Sequence, residues 1–443
     1  MMSDDPTRLV RLGEWSRATA TSQRNLRDTS LRGDLRGQRI AETLQHRLDI
    51  REGYSGLEVN STSFVGCLDV GPLRISIEPK LSGLPLMQLL RYAYGLSDLT
   101  VFGSTETSLT QLGFQDLLIL MLANETERLT HGRLVRHYVP VLETLETPRG
   151  KILVDQVIRR GGMLEAKLPC RFFERRLDWT LNQVMRAGLN VAASLAIDRE
   201  VRHRLLRLES FFESVVPTRS LKIADLDKVE SALTRMTSAY QPALSIVRLL
   251  LGGVGPDLAL DDESGAVPGF LFDMNRFFQR LVSKFMRENA AGFCVHDETP
   301  IRNVFTYSPI GNARSRRALR PRPDFALYKG QSLLGFLDAK YRDIWSKGCP
   351  PNWLYQLSIY ALASRHRTSI LLYASMSDNA RDERIEIRQP VHDSTVPPAT
   401  VILRPVPLVR LADIVGGESQ KLAVERTLVA ERLVQLEEAS WLK

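Results

Sequence analysis

The stretch RPRPDFALYKGQSLLGFLDAKYRD, residues 320–343, decides how this chain reads. It reads as two strands joined at Lys329-Gly330. Phe325 and Leu327 alternate along the first, and Leu334, Phe336 and Asp338 share one face of the second. Asp338 and Lys340 are two residues apart and so point to the same side. Asp324, at the start of the first strand, reaches the same place if the strands pair as a hairpin. Two carboxylates and an ammonium gathered in this way suit phosphodiester hydrolysis. The carboxylates are candidate ligands for Mg²⁺, a hard cation that prefers oxygen, with the carbonyl of Ala339 a candidate third ligand. Lys340 is placed to orient a water and to offset negative charge that builds on the phosphate.

The pattern PD…(D/E)xK occurs by chance in many chains. It also fits a surface hairpin with an exposed Asp–Lys pair worth about 0–1 kcal/mol. Two neighbouring features favour the chemical reading. Asp338 interrupts the apolar run LLGFLDAK, where an acid needs a partner or a metal. In addition, Arg314, Arg316, Arg317, Arg320 and Arg322 crowd the segment before Asp324, and arginine forks bind phosphate oxygens in pairs. The expected partner is double-stranded DNA. Downstream, NWLYQLSIYALAS (352–364) is a helix with Gln356 and Tyr360 four apart on one face.

Outward from this centre, DMNRFFQRLVSKFMRE (273–288) predicts a helix capped by Asp273, with Phe277, Leu281 and Phe285 as its apolar stripe. The Gly-, Asp- and Pro-rich stretch 252–269 predicts a linker or long loop and a domain boundary. Residues 174–250 read as all-helical. Further upstream, 148–158 is a strand or short helix, 112–138 a long helix with a basic end, and 84–95 a helix. In SFVGCLDVGPLRISIEPK (63–80), Leu73, Ile75 and Ile77 alternate with polar residues after Gly71-Pro72, as in a β-hairpin. Residues 1–62 read as an arm or stalk, with a weak helical pattern through Leu35, Ile40, Leu44 and Leu48. At the other end, 419–441 is an amphipathic helix carrying Leu422, Leu428, Leu433 and Leu436.

The chain has 443 residues, 44% of them hydrophobic and 25% charged, with a net charge of +8. These values fit a folded protein of two to four domains and favour an acidic polymer as partner. The four cysteines show no CxxC pairing, so neither a zinc site nor a disulfide framework is expected, and they read as lone buried thiols. MMSDDPTRLV has no apolar core of a secretory signal, and no run of 18 apolar residues occurs, so a cytoplasmic location without membrane contact is expected. No GxxxxGK[ST] is present, so nucleotide hydrolysis has to come from a partner.

The order of the motifs resembles one family. SFVGCLDVGPLRISIEPKL, LLRYAYGL, PRGKIL, LDWTLNQ, FLFDMNRFF, RPDFAL, FLDAKYR and YQLSIYALA follow, over roughly residues 50–375, the sequence blocks of McrC, the nuclease subunit of McrBC modification-dependent restriction systems. The resemblance implies an α/β chain with an N-terminal mixed α/β domain, a helical middle and a C-terminal PD-(D/E)xK domain of restriction-endonuclease type. It implies catalysis by Asp324, Asp338 and Lys340, with Gln356 and Tyr360 on an accessory helix known from one branch of that superfamily. It also implies a McrB-like AAA+ GTPase ring as partner, stimulated by the N-terminal region.

The resulting divisions are an arm over 1–62, a partner-binding domain over 63–160, a helical region over 161–260, a nuclease domain over 261–390 and an extension over 391–443. Many relatives in the superfamily carry an acid on the first core helix. Here Gln279 and Arg280 stand there instead, which leaves one or two metals open. Residues 1–50 match the family poorly. A RecB-like repair nuclease without a GTPase, and a non-cleaving activator of the ring, are the alternative readings.

Overall fold

A computed structural model describes residues 8–96, 112–132, 134–159, 166–214, 216–217, 220–254, 269–308, 310–312, 314–388, 397–417 and 419–436. The chain divides into two compact units. The first draws its described residues from Met1–Asp98, Ser104–Phe114 and Leu271–Lys443, the second from Gln115–Phe270.

The first unit begins with β1 (Arg8–Gly13), β2 (Arg17–Ala18), α1 (Leu35–Leu44), β3 (Leu48–Gly53), β4 (Gly56–Ser61), β5 (Phe64–Val70), β6 (Leu73–Glu78) and α2 (Gly83–Tyr94). The expected hairpin is present: β5 and β6 pair antiparallel with Val70 opposite Leu73, and Gly71 takes φ 56° ahead of Pro72 in the two-residue turn. A side chain at Gly71 would also collide with the Asp34 carboxylate, which caps α1 by accepting the Gly37 N–H. β1 lies parallel to β6, so the sheet runs β1-β6-β5 and is completed beside β5 by β10, given below. β2, β4 and β3 form a separate small antiparallel sheet.

Residues 8–62 therefore do not form an arm. Val10, Leu26, Leu44, Leu48 and Val59 are fully or almost fully buried. The weak helical pattern holds at Ile40 and Leu44 only, because Leu35 is exposed and Leu48 opens β3.

The second unit contains α3 (Phe114–His131), β7 (His137–Leu145), β8 (Lys151–Ile152), α4 (Val154–Arg159), β9 (Leu168–Arg176), α5 (Thr180–Leu195), α6 (Arg199–Glu213), α7 (Ile223–Ser231) and α8 (Gln241–Val254). The helix predicted over 112–138 stops at His131, and 174–250 is not wholly helical, because β9 runs to Arg176. β7 and β9 pair antiparallel over nine residues and leave Tyr138, Leu142 and Phe173 exposed. Pro140 fits β7 because that strand is an edge. The 148–158 stretch supplies both a short strand, β8, and the helix α4. Inside the helical part, Gly188 of α5 lets Val247 of α8 approach, since a Cβ there would lie 2.6 Å from a Val247 methyl. Most of the predicted linker, 255–268, lies outside the described residues.

The first unit resumes with β10 (Gly269–Asp273), α9 (Met274–Asn289), β11 (Cys294–Asp297), β12 (Phe325–Lys329), β13 (Ser332–Lys340), α10 (Pro351–Ala363), β14 (Thr368–Ser375), β15 (Glu383–Ile387), β16 (Ala399–Pro407), α11 (Leu408–Gly416) and α12 (Gln420–Val434). Six strands make one sheet in the order β11-β12-β13-β14-β16-β15. β13, β14 and β16 are mutually parallel, while β11, β12 and β15 run antiparallel to their neighbours. All eight residues of β14 are buried, as expected for a parallel strand covered on both faces. α10 packs on one face through Leu357 and Tyr360, against Ala326, Phe336, Leu371, Tyr373, Val401 and Leu403.

Asp273 caps α9 by accepting the N–H groups of Asn275 and Arg276. The buried side chains of α9 form a broad stripe, Phe277, Phe278, Leu281, Val282, Phe285 and Met286. Each such side chain contributes about 1.5–3 kcal/mol by leaving water.

Two further expected divisions change. Residues 63–160 do not form a domain: the part up to α2 belongs with the first unit, where α9 packs on the six-stranded sheet and α2 packs on α9 and α11, and the described residues from Gln115 belong to the second unit. Nor do the described residues of 391–443 stand apart as an extension, because β16 lies between β14 and β15 in the sheet. In α12 the inward face is Ala430, Leu433 and Val434, and Leu428 is exposed. Of the cysteines, Cys67 and Cys170 are buried, Cys349 is half-buried and Cys294 is exposed.

Candidate active site

β13 ends at Lys340, and the parallel ladder pairs Asp338 with Leu371 and Lys340 with Tyr373 on β14. Asp338 and Lys340 therefore sit at the carboxyl end of a central parallel strand, where open α/β sheets place their sites. β12 runs antiparallel to β13 with Phe325 opposite Leu337, which brings the preceding Asp324 to the same end.

The three side chains converge. Lys340 Nζ lies 2.5 Å from Asp338 Oδ2 and 3.8 Å from Asp324 Oδ2. The Asp338 side chain is 3% exposed, so the ammonium is the partner that a buried carboxylate there requires. Asp324 Oδ2 accepts the backbone N–H of Ala339 at 2.8 Å, and its Oδ1 accepts from Gln279 Nε2 of α9 at 3.2 Å. The Asp324 carboxyl is pushed up to about 7, first by burial and then by the charge of Asp338. Burial alone would lower the Lys340 ammonium, but the attraction of Asp338 and Asp324 overrides it and holds the group above its usual value.

α10 supplies the wall. Gln356 Nε2 donates to Tyr360 Oη at 2.6 Å, so the two residues expected on one helix face do meet. Tyr360 is buried against Phe336, with ring centroids 6.2 Å apart, and burial pushes its hydroxyl up to about 12. Trp353, on the same helix, lies with its ring 6.0 Å from Lys340 Nζ.

Arg314, Arg316, Arg317, Arg320 and Arg322 are all exposed in the segment before β12. Arg322 faces Glu298 at 3.9 Å, whereas the other four meet no carboxylate among the described residues. The segment is tied down beside the site: the Glu298 N–H donates to the Asp324 carbonyl and the Ile301 N–H to the Pro321 carbonyl.

Of the two residues on the first core helix, Gln279 touches Asp324. Arg280 turns away, donating to the Ala93 carbonyl and stacking over Tyr94. Trp353 had no sequence signal, since a Trp at a helix start reads as ordinary core. Among the described residues no group of three or more His, Cys, Asp or Glu side chains gathers as a metal cage. The two carboxylates still suit a hard cation that keeps several waters, and Lys340 Nζ already holds positive charge between them.

Fold and site together define a mixed α/β protein whose six-stranded sheet gathers two carboxylates and a lysine at the end of one central strand. The chain belongs to the family described as McrBC 5-methylcytosine restriction system component, whose family model matches residues 59–374. No curated protein matches the chain. Among solved structures it is similar to a chain in the refined half-complex from the tetradecameric assembly of Thermococcus gammatolerans McrB AAA+ hexamers with bound McrC. That match has 17% identity and a TM-score of 0.62, over 95% of this chain and 99% of that one. It is also similar to a chain of the Thermococcus gammatolerans McrBC complex, at 18% identity and a TM-score of 0.45, over 68% and 90% of the two chains. At 17% identity the first likeness speaks for the fold alone. Among the described residues no helix is long and apolar enough to cross a membrane.

Proposed function

We propose that this chain is the DNA-cleaving subunit of a McrBC-type restriction system, with a PD-(D/E)xK site in a restriction-endonuclease-like domain. The observation that carries this reading is the convergence of Asp324, Asp338 and Lys340 at the end of β13. In this reading Asp324, Asp338 and the Ala339 carbonyl hold Mg²⁺. The bound ion supplies the Lewis acid that phosphodiester hydrolysis needs. Lys340 holds its proton at Nζ, orients the attacking water and offsets charge on the phosphate. Gln356 and Tyr360 keep the wall of α10 in place behind Asp338. Arg314, Arg316, Arg317, Arg320 and Arg322 take the phosphates of double-stranded DNA beside the cut. Gln279 occupies Asp324 Oδ1 with an amide where an acid would add a ligand, which favours one metal over two.

The partner in this reading is a McrB-like AAA+ GTPase ring. It is supported by family membership and by the McrB AAA+ hexamers with bound McrC named for the similar structure. Plasmid cleavage with Mg²⁺ tests the proposal, with wild type and Lys340→Ala each assayed with and without the AAA+ partner and GTP. Cutting by wild type alone among the variants, and only with partner and GTP, is expected. Cutting without the partner would favour a repair nuclease. No cutting of any modified substrate, together with intact GTPase stimulation, would leave a non-cleaving activator.

A further inference from the structure

A polar cluster that the site's own chemistry does not use joins β1 to the end of β13. Glu14 follows β1 and is 5% exposed. Its Oε1 accepts the Lys80 N–H at 3.0 Å and the Tyr341 hydroxyl at 3.2 Å, and its Oε2 has no partner among the described residues. Trp15 is held at φ 52°, a left-handed conformation that costs energy for a bulky residue, with the Arg342 guanidinium 5.3 Å from its ring centroid. From the other side, Asn275 of α9 accepts the Tyr341 N–H through Oδ1 at 3.3 Å and donates to Ser63 Oγ at 2.7 Å. The Tyr341 ring also packs 6.0 Å from that of Phe278.

Tyr341 and Arg342 follow Lys340 directly. Lys340 is the last residue of its strand, so beyond it the ladder to β14 gives no support. What fixes residue 341 then fixes the backbone that aims the ammonium. Glu14 and Asn275 do this from two sides, one from the N-terminal sheet and one from the helix that also bears Gln279. A buried carboxylate with an unpaired oxygen and a strained Trp backbone both persist here, as they do where function holds a costly geometry.

We propose that Glu14 and Asn275 are positioning residues for Lys340, so that the N-terminal β-sheet sets the geometry of the cleavage site through Tyr341. This rests on the cleavage reading above, and the test keeps the two separable. Full-length Glu14→Ala, Glu14→Gln and Tyr341→Phe are compared with wild type by two measurements. One is DNA cleavage at saturating Mg²⁺ with partner and GTP. The other is amide hydrogen exchange over residues 338–342, which needs no activity.

Glu14→Ala and Tyr341→Phe are expected to lower kcat by roughly 10- to 100-fold at unchanged KM for DNA, and to speed exchange over 338–342. Glu14→Gln keeps the acceptor oxygen and is expected to stay near wild type in both. Unchanged exchange over 338–342 in Tyr341→Phe, or a Glu14→Gln variant as impaired as Glu14→Ala, would overturn the proposal. If Glu14→Ala fails to fold, Tyr341→Phe, which loses one hydroxyl, decides it. A wild type that never cuts counts against the nuclease reading, while the exchange data still decide the link.

Discussion

Asp324 is the residue on which the site's cost falls. Its carboxyl is pushed up to about 7 by burial and by Asp338, against an ordinary carboxylate value when unfolded. Between those two values the folded chain binds the extra proton, so this group's contribution to stability falls as pH rises through that window. Asp324→Asn removes the cost and keeps acceptor capacity for Gln279 or the Ala339 N–H. It is expected to abolish cleavage and yet raise Tm above wild type at pH 8, with the gain vanishing near pH 5.5, where wild type is protonated. Thermal scans at the two pH values check this, and a variant less stable at both would contradict the burial argument. The same proton competes with a cation, so Mg²⁺ affinity measured by calorimetry is expected to strengthen from pH 6 to pH 8. A flat or reversed trend would remove Asp324 from the ligand set.

Among the elements, β16 is the one whose role differs most from its position in the sequence. It pairs with β14 on one side and β15 on the other, and Val401, Ile402 and Leu403 are buried in it. A chain ending at residue 390 would leave β15 without a neighbour and β14 as an exposed apolar edge, an aggregation hazard. Such a truncation is expected to be insoluble or cleaved within its sheet, and a soluble, protease-resistant product would refute the sheet order. α9 is the second critical element, because its buried stripe packs the sheet while Gln279 and Asn275 reach the site and the segment after it. Phe278→Ala removes a buried ring beside Tyr341. It is expected to cost about 3–5 kcal/mol, read by denaturant unfolding.

For the whole molecule, the net charge of +8 matters through where the arginines stand. Arg314, Arg316, Arg317 and Arg320 have no carboxylate partner among the described residues and stand exposed in the segment that leads into Asp324. Replacing all four with Ala is expected to flatten the dependence of log Kd on log salt, by up to about 0.9 per lost phosphate contact. It is expected to leave the fold intact, as judged by circular dichroism. An unchanged salt slope would move the DNA path elsewhere on the chain.

Period-two patterning made the β12–β13 hairpin, the Gly71-Pro72 turn and the Asp338-x-Lys340 pairing legible in the sequence. Cap chemistry and helical spacing did the same for α9 and for the Gln356–Tyr360 pair. These are local signals, fixed by backbone geometry within a few residues. Adjacency between distant segments was not legible. β10 completes the sheet of β1, β6 and β5 across some 200 residues, and Glu14 meets Tyr341 across 327. β16 slots between two earlier strands, and β7 and β9, which lie mostly between the stretches read as helical, pair as an exposed ribbon. Strand order, the mate of a buried acid and the membership of a domain depend on which apolar faces bury each other. That choice is made only when the chain closes on itself.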